Sequence, residues 1–461
     1  MTSHSRAIAS SSATRSERAS GVGARTWTTI VVLGLIGQLA WAVENMYLNV
    51  FVYETISTDP TVIALLVASS AVAATLATMV IGAFSDRVGK RKPFIVVGYI
   101  AWGLLTASFG FVGVDGGTAA ATSQAVGAAI VAIVALDCIM SFFGSGANDG
   151  AFNAWVTESS TPANRGRIDS VLAIMPLIAM LIIFGAFDAM TRAGQWMLFF
   201  GIIGAITALT GVVALFVMRE STTIERAPGS YLSSVIAGLR PSHIAAHPRL
   251  YVTLLAVMVL GISAQVYLPY LIIYIQRSLQ IEAYAIVLAS VLILASIISV
   301  LGGRVIDRIG KQRALLPATA LLITGLVLMT MARDMLFAIV AGTIMMAGMM
   351  LAGATASAAV RDATPSSRVG MVQGLRMIAT VLVPMLIGPF IGAAVIIGAN
   401  ETYEELGVVR QVPTSWMFLV AAGIAVLVII PALWLRALPA EPDAAHAPFQ
   451  PEPAQPTEPT A

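Results

Sequence analysis

The sequence predicts an all-α polytopic membrane protein, with twelve transmembrane helices in two pseudo-symmetric six-helix halves. Three observations carry this. The 461-residue chain is 58% hydrophobic and only 11% charged, whereas a soluble domain carries about 25% charge. There is too little polar surface to cover a water-facing shell. Apolar runs long enough to cross the ~30 Å hydrocarbon core follow one another along the chain. Finally, a charged turn between two such runs, GAFSDRVGKRKPF at 82–94, returns as GRVIDRIGKQR at 303–313. Asp86, Arg87, Gly89 and Lys90 map onto Asp307, Arg308, Gly310 and Lys311 at one constant offset of 221 residues. A duplicated turn between apolar helices is the mark of a duplicated bundle.

Residues 1–26 are rich in Ser, Ala and Arg, without apolar periodicity, and are expected to form a disordered cytoplasmic tail. The first half then occupies 27–218. Its spans are expected near 27–53, 61–84, 93–113, 121–147, 168–190 and 195–218, the fourth running on towards Val156 because no strong breaker precedes Pro162. Residues 219–249 are the longest polar connection and divide the chain. The second half occupies 250–436, with spans near 250–275, 283–303, 314–332, 336–359, 369–398 and 414–436. Residues 437–461, rich in Pro, Ala and Glu, are expected to be a second disordered cytoplasmic tail.

Orientation follows from Lys and Arg. With the N-terminus inside, 21 of the 26 basic residues fall on the cytoplasmic side, four on the other and one, Arg376, within a span. Both termini are therefore expected in the cytoplasm, and the chain in a cell membrane. Further echoes support the duplication. Leu33-Gly34 and Gln38 of helix 1 return as Leu260-Gly261 and Gln265 of helix 7. Thr161-Pro162 with Arg165 returns as Thr364-Pro365 with Arg368.

Six plus six helices, a central cytoplasmic loop and a G-x-x-x-D-R-x-G-K-[RQ] turn after helices 2 and 8 resemble the major facilitator superfamily over about residues 27–436. Arg87-Val88-Gly89-Lys90-Arg91 with Pro93-Phe94 is similar to the pattern of sucrose-type and glycoside–pentoside–hexuronide cation symporters. The stretch from Asn148 through Trp155 to Arg165 resembles the helix 4 end of that group. One departure matters: helix 2 has no Asp or Glu, so the acidic sodium ligands of melibiose-type symporters have no counterpart there. Proton coupling fits better than sodium.

Ionisable groups inside spans are expensive and so are candidates for function. Glu44 in helix 1 and Asp137 in helix 4 are the expected proton-coupling residues, because desolvation disfavours the charged form of a carboxyl group. The residues do not choose between them. Asp137 could instead pair with Arg376, and Glu44 could reach the outer water. Asp149 is expected to be structural, holding the end of helix 4 to a basic loop. The resemblance implies that helices 1, 4, 7 and 10 surround a central cavity. Its expected lining includes Gln38, Trp41, Asn45, Ser141, Asn148, Gln265, Tyr267, Tyr270 and Arg376. Tyr267, Tyr270 and Tyr274 share one face of helix 7, where aromatic rings can cover a sugar and hydroxyls can bond it; Tyr274 is assigned to the interfacial belt. By the same resemblance, Asp86, Arg87, Gly89, Lys90, Asp307, Arg308, Gly310, Lys311, Arg165 and Arg368 form a cytoplasmic gate. Asp86 is expected to face Arg368 or Arg376 across the halves, and Asp307 to face Arg165 or Arg167. Lys90, Arg91 and Lys92 are explained by topology alone.

The expected function is a secondary transporter working by alternating access, as a proton-coupled symporter of a sugar or glycoside. The alternative is a proton-driven exporter of drugs or metabolites, but residues 168–190 lack that group's Gly-Pro-rich pattern. One cysteine and four histidines in tails or the central loop offer no metal centre. No phosphate-cradling loop or catalytic motif appears, so no enzyme and no cofactor are expected. The expected partners are a small-molecule substrate, a coupling proton and the lipid bilayer, with no nucleic acid and a monomeric chain.

Overall fold

A computed structural model describes residues 23–113, 122–160, 162–220, 231–364, 369–405 and 408–438. Most of both expected tails, part of the central loop and Arg368 lie outside the described residues, as do the side chains of Asp307 and Lys311.

Twelve helices are long and apolar enough to cross a membrane. They are α1 (Ala24–Thr55), α2 (Pro60–Val88), α3 (Lys92–Phe111), α4 (Ser123–Ser159), α5 (Asn164–Arg192) and α6 (Trp196–Val217) in the first half. The second half has α7 (Pro248–Ser278), α8 (Tyr284–Ile306), α9 (Arg313–Thr330), α10 (Met335–Asp362), α11 (Met371–Ala399) and α12 (Trp416–Ala437). Two short helices, Tyr231–Gly238 and Pro241–Ala246, occupy part of the central connection. An unexpected antiparallel hairpin, β1 (Thr402–Glu405) and β2 (Val408–Gln411), joins α11 to α12.

Within each half, corresponding helices pack together: α2 on α4 and α8 on α10, α1 on α5 and α7 on α11. Across the halves α2 meets α11 and α5 meets α8, two contacts that the internal repeat exchanges. The duplicated turn explains its own glycines. Gly89 ends the helix of α2 at φ +69°, and Gly310 ends the helix that continues α8 at φ +84°. Each amide closes the last helical turn, on Ser85 O at 3.0 Å and on Ile306 O at 2.9 Å. Positive φ at a helix end is a glycine position.

Several spans widen into π turns that periodicity does not reveal. Val43–Tyr47 in α1 contains Glu44, and Gly146–Phe152 in α4 contains Asn148 and Asp149. A π turn leaves a carbonyl without its usual amide. Side chains serve some of the carbonyls here: Asn45 Nδ2 donates to Trp41 O and Asn49 Nδ2 to Asn45 O, both at 2.9 Å.

Candidate functional site

The polar centre of the first half lies where α1, α2 and α4 meet. Asp137 and Ser141 stand one turn apart on α4, both buried. Glu44, carried inward by the α1 π turn, is also buried, and its Oε1 accepts a hydrogen bond from Ser141 Oγ at 2.6 Å. Ser70 of α2 stands beside the Asp137 carboxyl. The two carboxyl groups are close enough for their charges to act on one another. Glu44 Oε2 and Asp137 Oδ1 are buried without a hydrogen-bond partner, and among the described residues no Lys or Arg pairs with either acid. An unpaired carboxylate in such a place is costly, so the arrangement is suited to holding a proton.

This placement differs from two readings of the sequence. Asp137 does not bridge to Arg376, which is half-buried in α11 and within electrostatic reach of Arg361. Glu44 does not reach the outer water. The sequence offered no signal for Ser70, one of many small residues in α2.

The other expected lining residues separate into groups. Asn45 is exposed, and Gln38, Trp41 and Gln265 are half-buried. Trp41 leans on Trp102 of α3, centroids 5.0 Å apart. Asn148 is absorbed into packing: Tyr99 Oη lies 3.0 Å from Asn148 Oδ1 and 2.8 Å from Leu33 O. The three tyrosines of α7 are buried. Tyr267 and Tyr274 pack on Phe418 of α12, so Tyr274 is a core residue rather than part of an interfacial belt. The Tyr270 hydroxyl lies 3.0 Å from Pro60 O of α2 and 2.9 Å from Pro389 O of α11. Gly392 makes room for that ring, since a Cβ there would come within 2.7 Å of Tyr270 Cε2.

Tyr270 belongs to a set of contacts joining the halves at the face opposite the basic turns. Tyr53 Oη donates to Gln411 O of the hairpin at 2.6 Å, and Arg277 lies 3.7 Å from Glu54. Arg277 also sits over the Tyr403 ring, 5.7 Å from its centroid. Deeper in, the Tyr284 hydroxyl of α8 meets Thr191 Oγ1 of α5 at 3.3 Å, with Tyr47 and Asp188 within electrostatic reach.

At the basic face the first turn is tied to its own half. Asp86 pairs with Arg91 of the same turn rather than with the start of α11. Arg91 is buried and also binds Glu158 at the end of α4, at 2.7 Å, and Ser85 Oγ. Its amide donates to Glu220 at 2.6 Å. Burial alone would lower the Arg91 pKa, but Glu158 and Asp86 outweigh it and raise the value, keeping the cation at any physiological pH. Arg91 is therefore a structural hub, and Glu158, not Asp149, holds α4 to the basic turn. Arg87, Lys90 and Arg308 are exposed, and Arg165 is exposed and donates to Ser160 Oγ of its own loop at 3.2 Å.

A family model described as Major Facilitator Superfamily matches residues 30–352 and 253–459. No curated protein matches the chain by sequence. Among solved structures, the nucleoside transporter NupG is similar in fold, with a TM-score of 0.65 and 13% identity over 89% of this chain and 99% of that one. The xylose transporter XylE from E. coli, partially occluded and inward open, gives 0.62 and 12% over 90% and 99%. A bacterial homologue of the human lysosomal transporter Spinster, inward-facing and occupied, gives 0.63 and 15% over 90% and 96%. At these identities the likeness is one of fold.

Proposed function

The chain belongs to the Major Facilitator Superfamily, and from that premise we propose that it is a proton-coupled secondary transporter working by alternating access. The observation that carries the coupling is the buried Glu44–Asp137 pair, with Ser141 bonded to Glu44, Ser70 beside Asp137 and no cation paired with either acid among the described residues. A proton on this pair removes a repulsion between like charges in a low-dielectric place. Losing that proton changes the energy of the α1–α4 contact, which links protonation to conformation.

The basic face is the cytoplasmic one, by the positive-inside rule. The contacts of Tyr270, Tyr53, Glu54 and Tyr284 then close the outer side. Asp86 and the basic turns form the cytoplasmic gate, with Asp86 parked on Arg91 in this conformation. The cargo is a sugar or glycoside taken up with the proton. Its support is the exposure of Asn45 and the partial exposure of Gln38 and Gln265 inside spans, the first two on the same helix as the Trp41 indole. The α7 tyrosines do not contribute, because packing already occupies them.

The test is uptake of a labelled panel of sugars and glycosides into proteoliposomes, with and without an imposed pH gradient, while a dye follows internal pH. Accumulation that needs an outside-acidic gradient, with matching acidification of the lumen, is expected. Uptake indifferent to the gradient would remove the coupling.

A further inference from the structure

Between the halves, on the closed side, lies an apolar cavity of about 100 Å³. Met46 of α1 and Met180 of α5 form its wall on one side. Leu268 of α7, Met329 of α9 and Met345 and Met346 of α10 are among those opposite. The lining has no charged or hydrogen-bonding side chain. Five methionines at one cavity are notable chemically. Each is unbranched and polarizable, so together they adapt to different apolar shapes.

The cavity adjoins polar groups on the same helices. Asn45, immediately before Met46, is exposed although it lies mid-span. An amide facing lipid is costly, which directs it to the space between the halves. Gln265 precedes Leu268 by about one helical turn, towards the basic face, and is half-buried. The apolar recess thus has an amide next to Met46 in the chain and another one turn before Leu268.

We propose that this cavity receives the apolar group of the cargo, so that the transported molecule is amphipathic: a polar head for the amides and a compact alkyl group for the methionines. An apolar cavity of about 150 Å³ holds benzene, so this one suits a smaller, branched or short-chain group. Among glycosides the class is a short-alkyl glycoside rather than a free sugar. The inference rests on the transporter reading above. It adds a site on the second half to the acid pair on the first, and rocking the halves apart on the outer side would part the two walls and open the site to incoming cargo.

The probe is a β-glucoside of a four-carbon alkyl diazirine, irradiated with the full chain in lipid nanodiscs and followed by peptide mapping. Label is expected on the peptides holding Met46 or Met345 and Met346. Butyl β-glucoside should compete, and free glucose at the same concentration should not. Ala338→Leu fills the cavity and should cut that label roughly tenfold, the loss expected from excluding about two methylenes. If that variant does not fold, Met346→Asn makes the same wall polar and should have the same effect. Label confined to lipid-facing residues, equal competition by glucose, or label unchanged in a folded variant would overturn the proposal. Proton flux measured on the same preparation separates the two readings. Glucoside-driven flux without cavity label sinks this inference alone, and label without flux sinks only the coupling.

Discussion

Ser141 of α4 donates a hydrogen bond of 2.6 Å to Glu44 of α1, and one turn away on α4 stands Asp137. Two acids on different helices thus lie in one buried place, one of them held by a hydroxyl group. In the proposed mechanism the pair, rather than either residue, is the unit that exchanges a proton.

Replacing one acid should therefore uncouple transport without abolishing binding. Asp137→Asn and Glu44→Gln are each expected to stop cargo-driven proton movement in proteoliposomes while exchange of labelled cargo at equilibrium continues. Proton uptake at the wild-type rate in both variants would remove the pair from the mechanism.

Ser141→Ala takes the donor from Glu44 and leaves a further buried oxygen unserved. Such a loss costs about 1–3 kcal/mol, and a lower thermal unfolding midpoint in the same lipid should show it. Ser141→Thr keeps the hydroxyl and should recover part of the difference; equal behaviour of Ala and Thr would mean that the bond is unimportant.

Tyr270→Phe removes the hydroxyl that ties α7 to Pro60 of α2 and keeps the ring beside Gly392. One neutral hydrogen bond contributes about 0.5–1.5 kcal/mol, a roughly two- to tenfold shift of a conformational equilibrium. The expected change is a larger outward-open population, read as longer spin-label distances between the outer ends of α2 and α7. An unchanged distance distribution would show that the outer closure does not depend on this residue.

Arg91→Met leaves Asp86 and Glu158 without their shared cation at the end of α4. Removing one member of a buried ion pair costs about 3–5 kcal/mol, and the partial exposure of Asp86, 37%, places the loss at or below the lower end. Arg87→Met, at an exposed position of the same turn, should change stability little. Similar melting of the two variants would contradict the hub.

The sequence by itself determined the class, the number of spans, the duplication and the family. Those properties depend on composition, on apolar run length and on a turn whose glycines must adopt positive φ, all of which are local. It also singled out Glu44, Asp137 and Ser141, because polar groups inside apolar helices are few. Tertiary structure decided what each polar group meets. Periodicity assumes 3.6 residues per turn, and the π turns at Glu44 and Asn148 break that assumption where the chemistry is densest. Helix 7 shows the same limit: three tyrosines on one face read as a binding surface, yet α12, α2 and α11 close over them. Asp86 looked outward to α11 in the pattern of charges but found Arg91 five residues away. A helix face states what a side chain can offer, and only the packing of neighbouring helices decides whether water, cargo or another side chain accepts it.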